Sequence, residues 1–233
     1  MFTIGFGTIA QSPRDDVVPH MRKYLPDVRI AERGCLDGLG RDAIEALGPE
    51  EGEVGIVARL REGGSTLLSH AKILPIMQHV VDELEEKDGA DLIVILCGAD
   101  WTAIRSRPLV VNPGRLFPNT IAALAQGRRL GIVKPSAGQV ERERERYAQL
   151  GIDAVVTSAS PYAGEDRLRQ AEAAAEQIRD AGCDLVWMTC IGMDAAMREV
   201  VAGVTRRPVI LAHALLARIV SELIASPQPA AVL

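Results

Sequence analysis

The sequence lacks the features that mark membrane, secreted and nucleic-acid-binding proteins. No apolar run reaches the roughly 18 residues that a membrane-spanning helix needs. The start of the chain has neither the basic residues nor the long apolar stretch of a secretory signal. A formal net charge of −5 gives no electrostatic reason to bind nucleic acid or an anionic membrane. We therefore expect a cytoplasmic protein that acts on a small molecule, with no nucleic-acid and no membrane partner.

Cysteine is also scarce, with four among 233 residues. In a reducing compartment these should be free thiols and not disulfides. Neither Cys97 nor Cys190 belongs to a Cys-x-x-Cys pair or has a histidine at the spacing of a zinc site. The sequence therefore gives little reason to expect a metal site.

What the chain does contain is a regular alternation of short apolar runs and helical patterns. The runs are unbroken and end in glycine or polar loops, which is typical of strands buried on both faces of a parallel sheet. The predicted strands are Phe2–Phe6, Val28–Ala31, Leu92–Leu96, Leu130–Val133, Ala154–Thr157, Leu185–Thr189 and Pro208–Leu211. Helical patterns between or after them cover Leu74–Lys87, Glu165–Ala181 and Ala214–Ile224. This order predicts the α/β class.

One strand occurs twice in similar surroundings. "GADLIVILCGAD" at Gly89–Asp100 and "GCDLVWMTCIGMD" at Gly182–Asp194 share Gly, Asp, Leu and Cys when one is shifted by 93 positions. A weaker similarity joins Ile4–Arg14 with Leu130–Gln139, where a strand ends in a polar loop that contains a proline. Ligands of open α/β sheets lie beyond the carboxyl ends of the strands, so we expect these four loops to converge.

The repeat predicts two pseudo-symmetric, Rossmann-like halves with central parallel sheets and an interdomain cleft. The first half, which carries Cys97, is expected to comprise residues 1–112 plus 208–233, because the last helix should return to it. The second half, residues 113–207, carries Cys190. The tail Ser226–Leu233 is expected to be frayed.

A thiol at the same register of both halves indicates paired chemistry. A cysteine at a strand end, just before a helix, feels the helix N-terminus, which favours the thiolate and lowers the pKa of the thiol. Two such residues that face each other across a cleft can act as base and acid on opposite faces of one substrate carbon. A single buried cysteine is more often a packing residue, so packing stays open as the alternative interpretation of the pair.

Five segments together resemble the AroM family. They are "TIAQSPRDD" (Thr8–Asp16), "CLDGL" (Cys35–Leu39), "LLSHAKILPIMQ", "GIVKPSAGQ" (Gly131–Gln139) and "TCIGMD". The resemblance runs from Ile4 to about Ile224, and the AroM family in turn resembles the aspartate/glutamate/hydantoin racemase superfamily. It implies an enzyme without a cofactor, in which Cys97 and Cys190 transfer protons at an acidic carbon next to a carboxylate or carbonyl, as in racemases and epimerases.

The chain departs from amino-acid racemases next to both cysteines. Gly98-Ala99-Asp100 follows Cys97 where those enzymes have Asn-Thr, and Ile191 follows Cys190 where they commonly have Thr. Because those side chains help to bind an α-amino acid, the resemblance implies the reaction class more firmly than an amino-acid substrate. The alternatives are a decarboxylase or cis–trans isomerase that uses one cysteine, and a non-catalytic small-molecule binding protein on the same fold.

The loops beside the cysteines supply the candidate substrate-binding residues. Arg14 is suited to gripping a carboxylate through two hydrogen bonds, or else is a surface arginine that pairs with Asp15 or Asp16. The other candidates are neutral hydrogen-bond donors, a lysine suited to an acidic substrate, backbone N–H groups and a tyrosine that closes the pocket. They are Thr8, Gln11, Ser12, Gly98, Ala99, Lys134, Gln139, Tyr162, Thr189, Ile191 and Gly192. The charge run Glu141–Arg146 is expected to be a solvated helix face. The predicted ligand is a small carboxylate-bearing molecule, and a homodimer is an assembly that the sequence allows.

Overall fold

The computed structural model describes residues 1–225, in which strands and helices alternate. The strands of this part are β1 Thr3–Thr8, β2 Arg29–Gly34, β3 Ile56–Arg59, β4 Ser65–Leu68, β5 Leu92–Ile95, β6 Leu109–Val111, β7 Leu130–Lys134, β8 Ala154–Ser158, β9 Leu185–Met188 and β10 Val209–Leu211. Its α-helices are α1 Val18–Arg22, α2 Arg41–Ala46, α3 His70–Glu86, α4 Pro113–Leu124, α5 Val140–Gln149, α6 Arg167–Asp180, α7 Ala195–Thr205 and α8 Ala212–Ala225. None of these helices is long and apolar enough to cross a membrane. The expectation for the tail Ser226–Leu233 lies outside the described residues.

Two parallel sheets of the same strand order form the centres of the two halves. The first has the order β2-β1-β5-β6, and the second, followed in the corresponding direction, has the order β8-β7-β9-β10. All the pairings within both sheets are parallel. The strands that precede Cys97 and Cys190, β5 and β9, therefore occupy equivalent positions. The predicted α/β fold with two similar halves around parallel sheets is confirmed.

The sequence pattern predicted seven of the ten strands within residues 1–225 and missed β3, β4 and β6. Every residue of β1 and β5 is buried, as expected for strands that helices cover on both faces. The antiparallel pair of β3 and β4 is different, because most of its residues are partly or fully exposed. Its sequence therefore carries no continuous apolar run. The short edge strand β6 was also not expected, since only its last residue is buried.

The helix that follows the last strand of each sheet crosses to the other half. Phe117 of α4 packs edge-on against Trp187 of β9, with ring centroids 5.1 Å apart. In the reverse direction, α8 contacts α1, where the Arg218 guanidinium lies 4.2 Å from the centre of the Tyr24 ring. This reciprocal exchange of α4 and α8 joins both halves through one apolar cluster.

The exchange bears on the expected domain boundaries. Strand β10 pairs with β9 of the second sheet, whereas α8, the helix that follows it, packs against the first half. The boundary expected at residue 208 thus does not coincide with the boundary of the sheet. The division into residues 1–112 plus 208–233 and 113–207 stays a prediction.

Candidate active site

A cleft of about 820 Å³ is lined by residues that follow the carboxyl ends of strands from both sheets. The loop after β5 contributes Leu96–Asp100, and the loop after β9 contributes Thr189–Gly192. Lys134, the last residue of β7, lines the same cleft. The loops that the repeat placed together are therefore found around one cavity, where open parallel sheets bind their ligands.

The two thiols occupy equivalent positions in this cleft. The backbone N–H of Ala99 lowers the pKa of Cys97, and the N–H of Gly192, at the equivalent position, lowers the pKa of Cys190. A β-carbon built on Gly98 would lie 3.9 Å from the carbonyl oxygen of Thr189, so the two cysteine loops face each other closely. The repeat seen in the sequence is thus also a repeat of local geometry.

Both thiols are neutral at pH 7. Burial raises the pKa of Cys97 to about 11, although the Ala99 N–H and the charges of Lys134 and Arg14 act in the opposite direction. Burial also raises the pKa of Cys190, against the Gly192 N–H and the same two cations. The expectation that a helix N-terminus would lower these pKa values is wrong, because the cost of burying a thiolate exceeds the help from nearby donors. Moreover, β5 is followed by a loop and the edge strand β6 before the next helix begins.

Arg14 is buried and almost fully engaged by protein partners. Its Nε and Nη2 donate to the two carboxylate oxygens of Asp16, at 2.8 and 2.9 Å, and its Nη1 donates to Thr8 Oγ1 at 2.9 Å. Nη2 also donates to Tyr162 Oη at 3.3 Å. Of the five N–H donors of a guanidinium, one is left. Arg14 therefore does not grip a substrate carboxylate through two hydrogen bonds, and it is not a surface residue either.

The pairing also fixes the charge of both partners. Burial disfavours the Arg14 cation, but its hydrogen bonds to Asp16 and the negative charge of that carboxylate outweigh the cost, so the pKa of Arg14 lies above its ordinary value. Burial similarly opposes ionisation of Asp16, yet the pKa of Asp16 is lowered because Arg14 and Arg59 stabilise the carboxylate. Arg14 is thus held at the cleft by Asp16, which also forms an ion pair with Arg59.

Tyr162 connects Arg14 to the second thiol. Its hydroxyl receives the Arg14 hydrogen bond and donates to the Cys190 sulfur. A β-carbon on Gly192 would lie 2.1 Å from Tyr162 Oη, so only glycine leaves room for the hydroxyl at this place. Burial raises the pKa of Tyr162, which keeps the hydroxyl protonated and able to donate. Tyr162 lines the cleft as expected, but it acts on Cys190 as well as closing the pocket.

Helix α5 forms a charged wall of the cleft. Lys134 Nζ lies 3.3 Å from Glu143 Oε2, and Arg146 Nη1 lies 4.0 Å from the same oxygen. Glu143 is only 7% exposed, so the charge run Glu141–Arg146 is not simply a solvated face. The alternating charges place Glu143 and Arg146 on the inner side of α5, together with Arg142. Lys134 lines the cleft as the sequence predicted.

The other polar candidates are divided between the cleft and its supports. Gln139 lines the cleft, but its Nε2 donates to the Gly55 carbonyl at 2.9 Å and so holds the segment before β3. Thr189 also lines the cleft, with its hydroxyl donating to the Val133 carbonyl at 3.2 Å. The remaining cleft-lining candidates are Gly98, Ala99, Ile191 and Gly192.

Three candidates lie outside the cleft lining of the described chain. Thr8 is buried behind Arg14, Gln11 Oε1 accepts from the Arg61 backbone N–H at 2.8 Å, and Ser12 Oγ donates to Asp37. The expectation that Thr8, Gln11 and Ser12 present donors to a substrate oxyanion is therefore not met. The loop that carries them instead holds Arg14 in place, with Thr8 Oγ1 accepting a hydrogen bond from the guanidinium.

An apolar wall was missed in the sequence. It consists of Leu96, Phe117, Pro118, Tyr147 and Trp187, all of which line the cleft. Trp187 stands within the repeated strand three positions before Cys190, which is a signal that sequence reasoning could have used. The Tyr147 hydroxyl is buried in this wall and has no hydrogen-bond partner among residues 1–225.

No cluster of three or more His, Cys, Asp or Glu side chains in the described part of the chain is arranged to hold a metal ion. All four cysteines are free thiols. The polar groups of the cleft thus include two thiols, backbone N–H groups, the Tyr162 hydroxyl, Arg14 and the charged group of Lys134, Glu143 and Arg146.

Comparison with known proteins identifies the family and the fold. The family model described as AroM protein matches residues 4–224. A glutamate racemase from Francisella tularensis subsp. tularensis SCHU S4 in complex with D-glutamate is similar in structure, with a TM-score of 0.58, 13% identity, and coverage of 96% of this chain and 81% of that chain. An unliganded arylmalonate decarboxylase has a TM-score of 0.57 and 14% identity, with coverage of 98% of this chain and 94% of that chain. An aspartate racemase from Picrophilus torridus has a TM-score of 0.57 and 14% identity, with coverage of 96% of this chain and 94% of that chain.

At these identities the similar structures establish the fold alone. A search for relatives among curated protein sequences finds no match. The family model, in contrast, covers nearly the whole chain, as the five segments led us to expect. This protein belongs to the AroM family.

Proposed function

We propose that this protein is a cofactor-independent enzyme of the racemase or epimerase type. In this proposal Cys97 and Cys190 transfer protons at one acidic carbon of a small molecule, next to a carboxylate or carbonyl. The observation that carries the proposal is that two thiols at the same register of the repeat, each with the backbone N–H two residues later lowering its pKa, lie in loops that face each other across one cleft. Packing alone does not require the same donor geometry at both thiols.

The proton transfers balance without another reactant. One thiolate takes the proton from the substrate carbon, so that an S–H bond forms, the C–H bond breaks and the electron pair moves onto the adjacent carboxylate or carbonyl as an enolate. The opposite thiol then gives its proton to the other face of the carbon and becomes the thiolate. The next turnover runs with the two roles exchanged.

Two features of the cleft favour the enolate and the thiolates that form during these proton transfers. The backbone N–H groups of Gly98 and Ile191, one after each cysteine, have no protein acceptor among the described residues and can stabilise the developing enolate. The positive charge of Lys134 lowers the pKa of both thiols. With a pKa of about 11, ionising Cys97 at pH 7 costs about 5 kcal/mol. The initial thiolate is therefore a rare species that substrate binding must favour.

A one-base reaction through Cys190 is the second candidate, because the surroundings of the two thiols differ. Tyr162 donates to the Cys190 sulfur and is held by Arg14, whereas no side chain in the described structure donates in this way to Cys97. A decarboxylase or isomerase needs one proton donor only. In that case Cys190 carries the reaction and Cys97 is dispensable.

The cellular setting belongs to the same proposal. Free thiols that must ionise to act are retained in a reducing compartment, so we place the protein in the cytoplasm. Its partner is a small carboxylate-bearing molecule.

The experiment that tests the function follows racemisation by polarimetry, across enantiopure carbon acids with a carboxylate or carbonyl beside the stereocentre. Wild-type protein is expected to racemise at least one compound, and Cys97→Ala and Cys190→Ala are each expected to lose this activity. Cys183→Ala is the matched control, since Cys183 is buried and does not line the cleft. Retained activity in Cys97→Ala would favour the one-base reaction, and no turnover of any compound would contradict both candidates.

A further inference from the structure

The charges that line the cleft balance in a way that limits the substrate. Arg14 lines the cleft, but four of its five N–H donors bind Asp16, Thr8 and Tyr162, so it cannot hold a second carboxylate through two hydrogen bonds. Lys134 is paired with Glu143, but Arg146 Nη1 also lies 4.0 Å from the same carboxylate oxygen. Arg142 and Glu145, the other charged residues of α5 in the lining, offset each other, so the wall formed by Lys134 and α5 carries one excess positive charge. One carboxylate is matched by this wall, and two are not.

Lys134 is placed to hold that carboxylate beside the thiols. It ends β7, which pairs directly with β9, the strand that leads to Cys190. It lines the same cleft as both cysteines, and its charge acts on both sulfurs. A carboxylate bound at its ammonium group is therefore near the point where the two cysteine loops meet.

The apolar wall lies in the same cleft as the two thiols. Phe117 and Trp187 form a T-shaped pair, and Leu96 precedes Cys97 directly. Phe117 reaches this place because α4 crosses to the second half. Aromatic rings pack favourably on such edge-to-face pairs, whereas an unpaired carboxylate buried there would be strongly destabilised.

We propose that the cleft binds monocarboxylates that bear a bulky apolar substituent, preferably an aromatic ring. The carboxylate lies at Lys134 and the substituent lies against Phe117 and Trp187, which puts the carbon between them within reach of Cys97 and Cys190. This inference rests on the proposed function for the role of that carbon, but not for the binding itself. It separates the substrate from dicarboxylic amino acids such as aspartate and glutamate.

The test is calorimetric titration of the wild-type protein with phenylacetate, acetate and succinate. Phenylacetate is expected to bind at least tenfold more tightly than either of the others, because only phenylacetate covers the apolar wall and uses a single cation. Equal or tighter binding of succinate would overturn the proposal. So would equal binding of acetate, since the ring would then contribute nothing.

Variants locate the binding site. Lys134→Met is expected to weaken phenylacetate binding at least tenfold, and Lys87→Met, an exposed lysine outside the cleft, is expected to leave it unchanged. If Lys134→Met does not fold because Glu143 loses its partner, Lys134→Met combined with Glu143→Gln removes the pair together. Unchanged binding in either Lys134 variant would overturn the proposal.

The outcome is independent of turnover. Phenylacetate binding that depends on Lys134, in a protein that racemises nothing, would refute the proposed function and support this inference. Racemisation that depends on both cysteines, together with preferred binding of succinate, would do the reverse.

Discussion

Replacing Gly192 by alanine should separate Tyr162 from Cys190. The added β-carbon would lie 2.1 Å from Tyr162 Oη, and non-bonded heavy atoms pack at about 3.5 Å, so the hydroxyl must move by about 1 Å or more. Tyr162 is buried and cannot simply swing into solvent. The displacement breaks its hydrogen bonds with Arg14 and Cys190, of which one involves a charged donor.

The expected magnitude follows from those two hydrogen bonds. We expect Gly192→Ala to lower the free energy of unfolding by about 2–3 kcal/mol, which for a chain of this length is a fall in Tm of roughly 5–10 °C. The pKa of Cys190 should rise further, because the Tyr162 hydroxyl is one of the groups that lower it. Alkylation of Cys190 by iodoacetamide at pH 8, followed by mass spectrometry, should slow several-fold, while that of Cys97 should not change.

A matched control is Gly203→Ala in α7. A β-carbon there meets no atom within 4 Å, so this variant should be more stable than wild type by about 0.5–1 kcal/mol. If Gly192→Ala unfolds at the wild-type temperature and Cys190 is alkylated at the wild-type rate, Tyr162 does not contact the thiol and the reasoning is refuted.

Two further predictions concern buried polar groups. Tyr147→Phe removes a buried hydroxyl without a partner and should stabilise the protein by about 1–2 kcal/mol in chemical denaturation, and a loss of stability would show that the hydroxyl is in fact hydrogen-bonded. The folded-state pKa of Cys97, about 11, lies above the unfolded value of about 8.5. The contribution of Cys97 to the free energy of unfolding is therefore constant below about pH 8.5 and decreases as the pH rises towards 11. In Cys97→Ser, the decrease in the free energy of unfolding between pH 8 and pH 11 should be smaller by about 3 kcal/mol than in the wild type. If the free energy of unfolding decreases equally in both proteins over this range, the assigned pKa is contradicted.

The buried architecture was predictable because it leaves a strong trace in the sequence. Strand β5 is apolar at every position since both faces are covered, and its predicted bounds Leu92–Leu96 differ by one residue from the observed ones. Strand β1 is equally buried, but the prediction Phe2–Phe6 missed its last two residues, Gly7 and Thr8. The repeat around Cys97 and Cys190 predicted that two loops would meet. The structure places both thiols in one cleft, as the repeat led us to expect.

Side-chain partners were less predictable, because they depend on directions that spacing does not give. The sequence left Arg14 between a substrate ligand and a surface residue, and the fold buries it against Asp16 in the lining of the cleft. Glu143 looked like one charge in a solvated run, yet the turn of α5 directs it to Lys134. The apolar wall depends on α4 crossing to the other half, which no local pattern specifies.

The central claim is that Cys97 and Cys190 serve opposite faces of one carbon, and face-selective exchange in deuterated water tests it most directly. The measurement uses a compound that the wild-type protein racemises, with each pure enantiomer followed by proton NMR in Cys97→Ala and in Cys190→Ala. Each variant is expected to exchange the α-proton of one enantiomer only, and the two variants are expected to act on opposite enantiomers. If both variants exchange the same enantiomer, or if one exchanges neither while the other racemises both, the two-thiol account is wrong.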